Sequence, residues 1–159
     1  MEILKLLEYN RWANGLIASQ IETLTAEICD KDSGGSFGSI QATLAHLLEA
    51  DWLWLSRFQG NASVEVPNWK KHSAHAILPE WIRIQDEMMI ASRQLLQDPN
   101  TQITFKTRKG QPFTMPPGEI ITHISHHGSY HRGQLANMIR MAGEKPVSTD
   151  YFLFSIQKG

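Results

Sequence analysis

Cysteine is almost missing: Cys29 is the single one in 159 residues. An internal disulfide and any multi-cysteine metal site are therefore excluded. Cys29 sits in Ala26-Glu27-Ile28-Cys29-Asp30, with no cation or helix start beside it to lower its pKa. It reads as a buried or idle thiol. Long apolar runs are also lacking; none approaches about 18 residues, which excludes a membrane-spanning helix. Net charge is nearly absent, with 15 basic residues against 16 acidic ones. With no basic run and no zinc-finger spacing, that balance gives no general attraction to nucleic acid or to an anionic membrane, and neither partner is expected. The opening Met1-Glu2-Ile3-Leu4-Lys5 lacks the layout of a signal peptide, so a cytoplasmic location is expected. What remains is 42% hydrophobic and 19% charged, a globular composition suited to a single domain over residues 1–159.

Ile3, Leu6, Leu7, Ala13, Leu16, Ile17, Ile21 and Leu24 recur at helical spacing and predict a first helix from about Glu2 to Ile28. Residues 30–38 form a loop by their Asp, Ser and Gly content. Ser39 is a good N-cap for a second helix from Ile40 to about Gln59, broken by Gly60-Asn61-Ala62-Ser63. Residues 61–77, with Pro67 and Trp69, read as an irregular connection, the kind of loop that often covers a pocket. A third helix is expected to start at Leu78 or Pro79, with Trp81, Ile84, Met88, Ala91 and Leu95 as its core stripe, and to stop at Asp98-Pro99-Asn100. Ile103, Phe105 and Thr107 alternate with polar residues, Lys109-Gly110 turns, and Phe113 and Met115 resume the pattern, which predicts a short β-hairpin. The fourth helix spans Gly118 to Met141, closed by Gly143 with Pro146 beyond. Tyr151-Phe152-Leu153-Phe154 is too apolar to float free and is expected to pack on the rest. The fold class is all-α: a four-helix bundle with a short β-hairpin before the last helix.

Four of the seven histidines, His123, His126, His127 and His131, fall in the fourth helix. At about 100° per residue, His131 lies about 40° and His123 about −40° from His127, with Gln134 about −20° away. Ile120, Ile124, Leu135 and Met138 share this stripe, so the histidine line faces the core. His126 falls toward solvent and reads as a surface residue. Buried imidazoles must satisfy both nitrogens, and three on one stripe cannot easily satisfy each other. A metal ion resolves this by taking one nitrogen from each ligand while the other donates outward. Neighbouring turns suit one ion, whereas His123 and His131, about 12 Å apart along the axis, do not. Helical geometry allows 127/131 or 123/127 and does not choose. A third ligand must come from a facing helix. His72 and His75 lie in the irregular connection, while His46 lies mid-helix among small residues, Ala42 and Ala50, that leave room for an ion.

The segment His123-Ile124-Ser125-His126-His127-Gly128-Ser129-Tyr130-His131-Arg132-Gly133-Gln134-Leu135 closely resembles the last-helix motif of the DinB-like metalloproteins. Thr43-Leu44-Ala45-His46-Leu47-Leu48-Glu49-Ala50-Asp51-Trp52-Leu53-Trp54 resembles their second-helix motif, and Tyr9-Asn10-Arg11-Trp12-Ala13-Asn14 their first. With the loop, the hairpin and the Gly-x-x-Pro tail, the likeness covers nearly the whole chain. It implies a four-helix bundle holding a divalent metal through His46, His127 and His131. His123 then becomes a pocket residue. Gln134 and Glu49 become candidates for orienting ligands, and Glu49 for a base. Arg132, about 140° around the helix from His127, is expected to pack or salt-bridge at an interface. Tyr9, Trp12 and Asn14 are expected to make bundle contacts.

Imidazole ligands suit zinc or nickel among several ions. Thiol-dependent transferases and isomerases of the wider superfamily imply that the ion activates a low-molecular-weight thiol for chemistry on a small-molecule substrate. Two other readings stand beside it. The ion could activate water, which makes the protein a hydrolase, or the protein could be a stress-associated metal-binding homodimer without turnover. Trp52, Trp54 and Phe58 are either a dimer face or core.

Overall fold

The computed structural model describes residues 3–61, 65–107 and 109–157. The helix start placed at Glu2, and Ala62-Ser63 in the break after the second helix, lie outside the described residues. The described elements are α1 (Ile3–Thr23), α2 (Ala26–Asp30), α3 (Ile40–Phe58), a 3-10 turn (Trp69–Lys71), α4 (Ala74–Leu95), β1 (Ile103–Lys106), β2 (Pro112–Met115), α5 (Pro117–Met141) and α6 (Tyr151–Gln157). The four long helices form the bundle. α1 packs beside α4 and α5, and α3 packs beside the same two, so α1 and α3 stand diagonally opposed. Ile17, Ile21, Leu44, Leu48, Trp81, Ile84, Ile120 and Leu135 fill the centre. At about 25 cal/mol per Å² of apolar surface, this burial is the main force holding the helices together.

The first helix is shorter than expected. Leu24 N–H closes a tight bond on Ile21 O, and the Thr23 hydroxyl bonds back to Gln20 O. Thr25 is extended and caps α2 by accepting from Ile28 N–H, so a new helix starts where one was expected to continue. The third helix begins a turn early. Ser73 caps α4 by accepting from Ala76 N–H, and buried Ala74, Ile77 and Leu78 extend the apolar stripe ahead of Pro79. Pro79 therefore sits inside the helix, where its missing N–H leaves only the His75 carbonyl without a helical donor. His75 belongs to α4, not to the connection, and its Nε2 meets Leu24 O at 2.9 Å.

The hairpin pairs Ile103 with Met115 and Phe105 with Phe113. Thr107 lies just outside it and closes the turn, its carbonyl accepting from Gly110 N–H. At the end of α5, Gly143 adopts φ +88°, its N–H bonds Arg140 O, and Glu144 N–H bonds Ile139 O. This is a Schellman ending, which needs the left-handed backbone glycine tolerates. The tail returns to α1: Gln20 receives Val147 N–H and donates to Lys145 O. Tyr9 OH donates to Thr149 O, and Phe154 is buried against Tyr9 and Trp12. The hairpin precedes the last long helix, and the short α6 follows it.

Candidate metal centre

His46 comes from the middle of α3, whose start Ser39 fixes by accepting from Ala42 N–H at 3.1 Å. His127 and His131 come from adjacent turns of α5. Across the bundle, His46 Nε2 stands 3.1 Å from His127 Nε2, and His131 Nε2 stands 3.1 Å from the same atom. One ligand atom from each of the three lies within 4.8 Å of the others, so the group can hold a metal ion. Nitrogens about 2.0–2.1 Å from one tetrahedral ion stand about 3.3 Å apart, close to the two 3.1 Å separations from His127.

Proton accounting favours a cation. His131 Nδ1 donates to Gln134 Oε1 at 2.8 Å, which leaves the lone pair of the neutral ring on Nε2. His127 Nε2 carries at most one proton, so hydrogen bonding satisfies only one of its two 3.1 Å contacts. A cation facing three lone pairs satisfies both. Burial, then the charges of His131, His46 and His123, push His127 down to about 4, so the ring is a neutral donor at physiological pH.

The surroundings separate the candidates. His123 is exposed, and its ring lies over His127 at 5.9 Å and meets Trp54 at 5.5 Å. It stands outside the three-histidine group, so the structure assembles 127/131 and not 123/127. Partial desolvation of its ring first, then the charges of Arg57 and His126, lower its pKa. Gln134 touches His131, one of the three histidines, directly. Glu49, one turn beyond His46, is half-buried, joins neither the group nor, among the described residues, any side-chain hydrogen bond or ion pair. His126 is exposed, and His72 is exposed at the end of the 3-10 turn. Cys29 is buried, and burial with the Asp30 charge pushes its thiol up to about 11, which makes it inert as a nucleophile.

Two features escaped the sequence. Phe37 stacks on His46 with ring centres 4.2 Å apart and also lies 5.6 Å from His131. Its loop is tied by Ser33 N–H to Gly38 O and by Gly34 N–H to Asp32 Oδ1, with Gly38 at φ +82°. A lone aromatic in a glycine-rich loop just before the ligand-bearing helix was the available signal. Arg132 is the second. It is 2% exposed and hydrogen-bonds Asn10 and Asn14, inside the bundle, with no ion pair among the described residues. Of the two expected roles, packing or a salt bridge at an interface, it takes the first: it packs between α5 and α1 against amide oxygens. The helix-two aromatics are engaged within the chain: Trp52 meets Trp69, Trp54 meets Phe105, and Phe58 is core.

A helix bundle that gathers three imidazoles from two of its helices is an all-α protein with a histidine cluster able to hold a metal ion. The comparisons narrow this. The DinB family model matches residues 1–158, and the chain belongs to that family. It is 28% identical over 158 residues to Protein DinB of Bacillus subtilis (strain 168), covering 94% of this chain and 91% of that protein.

Proposed function

We propose that the protein is an enzyme that uses a divalent metal, zinc or nickel, to activate a low-molecular-weight thiol for transfer or isomerisation on a small-molecule substrate. The observation that carries this reading is the convergence of three imidazole nitrogens on one point from α3 and α5. When bound there, the ion lowers the pKa of a coordinated nucleophile. An imidazole bound to a metal carries no charge of its own, so three of them leave the ion its full charge. Gln134 holds His131 in the required tautomer. Phe37 shields the His46 ring, while His123, itself backed by Trp54, offers ring surface beside His127.

A thiol is favoured over water as the nucleophile for a physical reason. A free thiol ionises near pH 8.5 and needs modest help, whereas water starts near 15.7 and gains from a neighbouring base. No carboxylate belongs to the histidine group among the described residues, and Glu49 makes no contact that aims it there. The superfamily resemblance supports the same choice.

The test is conjugation of monochlorobimane by the metal-loaded protein across a panel of low-molecular-weight thiols. Metal-dependent acceleration that disappears in His46→Ala is expected. No acceleration with any thiol removes the proposal. Ester or amide hydrolysis lost in the same variant turns the reading to a hydrolase, and metal binding without either activity leaves a metal-stabilised protein.

A further inference from the structure

Behind the histidines, on the far side of α5, lies a second polar cluster. Arg132 follows ligand His131 in the chain, and Gly128 follows ligand His127. The Arg132 guanidinium donates through Nη1 to Asn10 Oδ1 and to Asn14 Oδ1, each at 2.6 Å, and through Nη2 to Ser129 Oγ at 2.8 Å. It also lies 5.3 Å from the Tyr9 ring centre. Asn14 in turn donates to Gln85 Oε1 on α4 at 2.9 Å, so the cluster ties α4, α1 and α5 in sequence. At Gly128 the helices are in close contact. A Cβ there would collide with Asn10 Oδ1 and stand 2.9 Å from Arg132 Nη1.

We infer that Arg132 is a positioning residue for the metal centre: with Asn10, Asn14 and Gly128 it clasps α5 to α1 and fixes the rotation at which His127 and His131 face His46. This rests on the reading that those three histidines bind a metal. On the helical wheel Gly128 and Arg132 lie about 100° and 140° from His127, so one face of α5 is clasped while the next presents ligands. An imidazole nitrogen extends about 5–6 Å from the helix axis. A rotation of about 10° therefore moves it about 1 Å, half a metal–nitrogen bond. Hydrophobic packing alone tolerates such slips, but a planar guanidinium hydrogen-bonded to two fixed amide oxygens does not. Burying a cation is unfavourable when an apolar side chain of similar volume could fill the space. Its presence one residue from a ligand fits a demand for geometry above stability.

Cobalt(II) is the probe, because its ligand-field spectrum reports coordination geometry independently of any activity. Arg132→Met and Gly128→Ala are titrated with cobalt(II), and the stability of each apo form is measured by denaturant. Both are expected to weaken cobalt binding at least tenfold and to alter its spectrum. Arg132→Lys should recover only part of the affinity. Ile103→Ala, a cavity on β1 and outside the helices that the cluster joins, should lower apo stability yet bind within twofold of wild type with an unchanged spectrum. Asn10→Ala removes one acceptor and carries the same expectation if Arg132→Met does not fold. Wild-type affinity and spectrum in the clasp variants overturn the inference. Failure of the wild-type protein to bind cobalt overturns the metal reading itself.

Discussion

His131 and Gln134 show how much one hydrogen bond decides. The 2.8 Å contact to Nδ1 sets which nitrogen of the ring faces the centre. Among the described residues no comparable bond holds His126, which is exposed. His127→Ala is therefore expected to abolish stoichiometric metal binding, and His126→Ala to leave it intact, as read by elemental analysis of the dialysed proteins. Equal metal content in the two variants refutes the assignment. Asp51 offers a separate prediction. Buried in the bundle, it accepts from Trp81 Nε1 at 2.9 Å. Burial raises its carboxyl from an ordinary 3.8 to about 7, against the lowering effects of the Trp81 bond and the Arg132 charge. Between those values the native state keeps a proton that the unfolded chain has released. Stability therefore falls as pH rises from about 4 to 7 and levels off above. Asp51→Asn keeps an acceptor for Trp81 and has no proton to lose. Relative to wild type it should gain roughly 2–3 kcal/mol between pH 5 and pH 8, read from denaturation curves. Identical pH profiles show that the carboxyl ionises normally.

Among the elements, α5 was the most legible, and its ending shows why. Its apolar stripe has the helical period throughout, and Gly143 falls where a left-handed residue must follow. Gly143→Ala forces a Cβ into that conformation and is expected to destabilise the protein by about 1–2 kcal/mol in thermal or chemical unfolding. No loss in that measurement means that the end of α5 refolds without the left-handed turn. The elements read less well were those in which a local bond overrides a continuing pattern. The apolar spacing runs on through Leu24 and Ile28, and only Thr25, capping α2, divides the helix there. Pro79 suggested a start, yet the Ser73 cap and buried Ala74 hold α4 together a turn earlier. The site shows the same division. The i, i+4 histidine pair and a third mid-helix histidine are periodic signals. Phe37 is placed by a loop, and Arg132 is drawn inward by amides on another helix, so neither has a period that a single sequence reveals.

For the whole molecule, the decisive fact is that the three histidines are joined by the fold and not by the chain. His46 and His127 are 81 positions apart in sequence, yet their nitrogens meet at 3.1 Å. An unfolded chain does not assemble that set, so on the proposed metal reading an ion binds the native state alone and its binding free energy adds to folding stability. At an ion concentration of about 100 times Kd, the added stability is about 2.7 kcal/mol. For a chain of this length each kcal/mol moves Tm by about 2–4 °C, so loading is expected to raise Tm by roughly 5–11 °C. The rise should persist in His126→Ala and vanish in His46→Ala, a substitution on α3 that leaves both α5 ligands in place. Because two ligands remain in that variant, its loss of the shift separates an ion that bridges α3 and α5 from one bound weakly to α5 alone. A shift of full size without His46 means that the ion is held elsewhere, and the bundle then owes its stability to packing and to the Asn–Arg cluster.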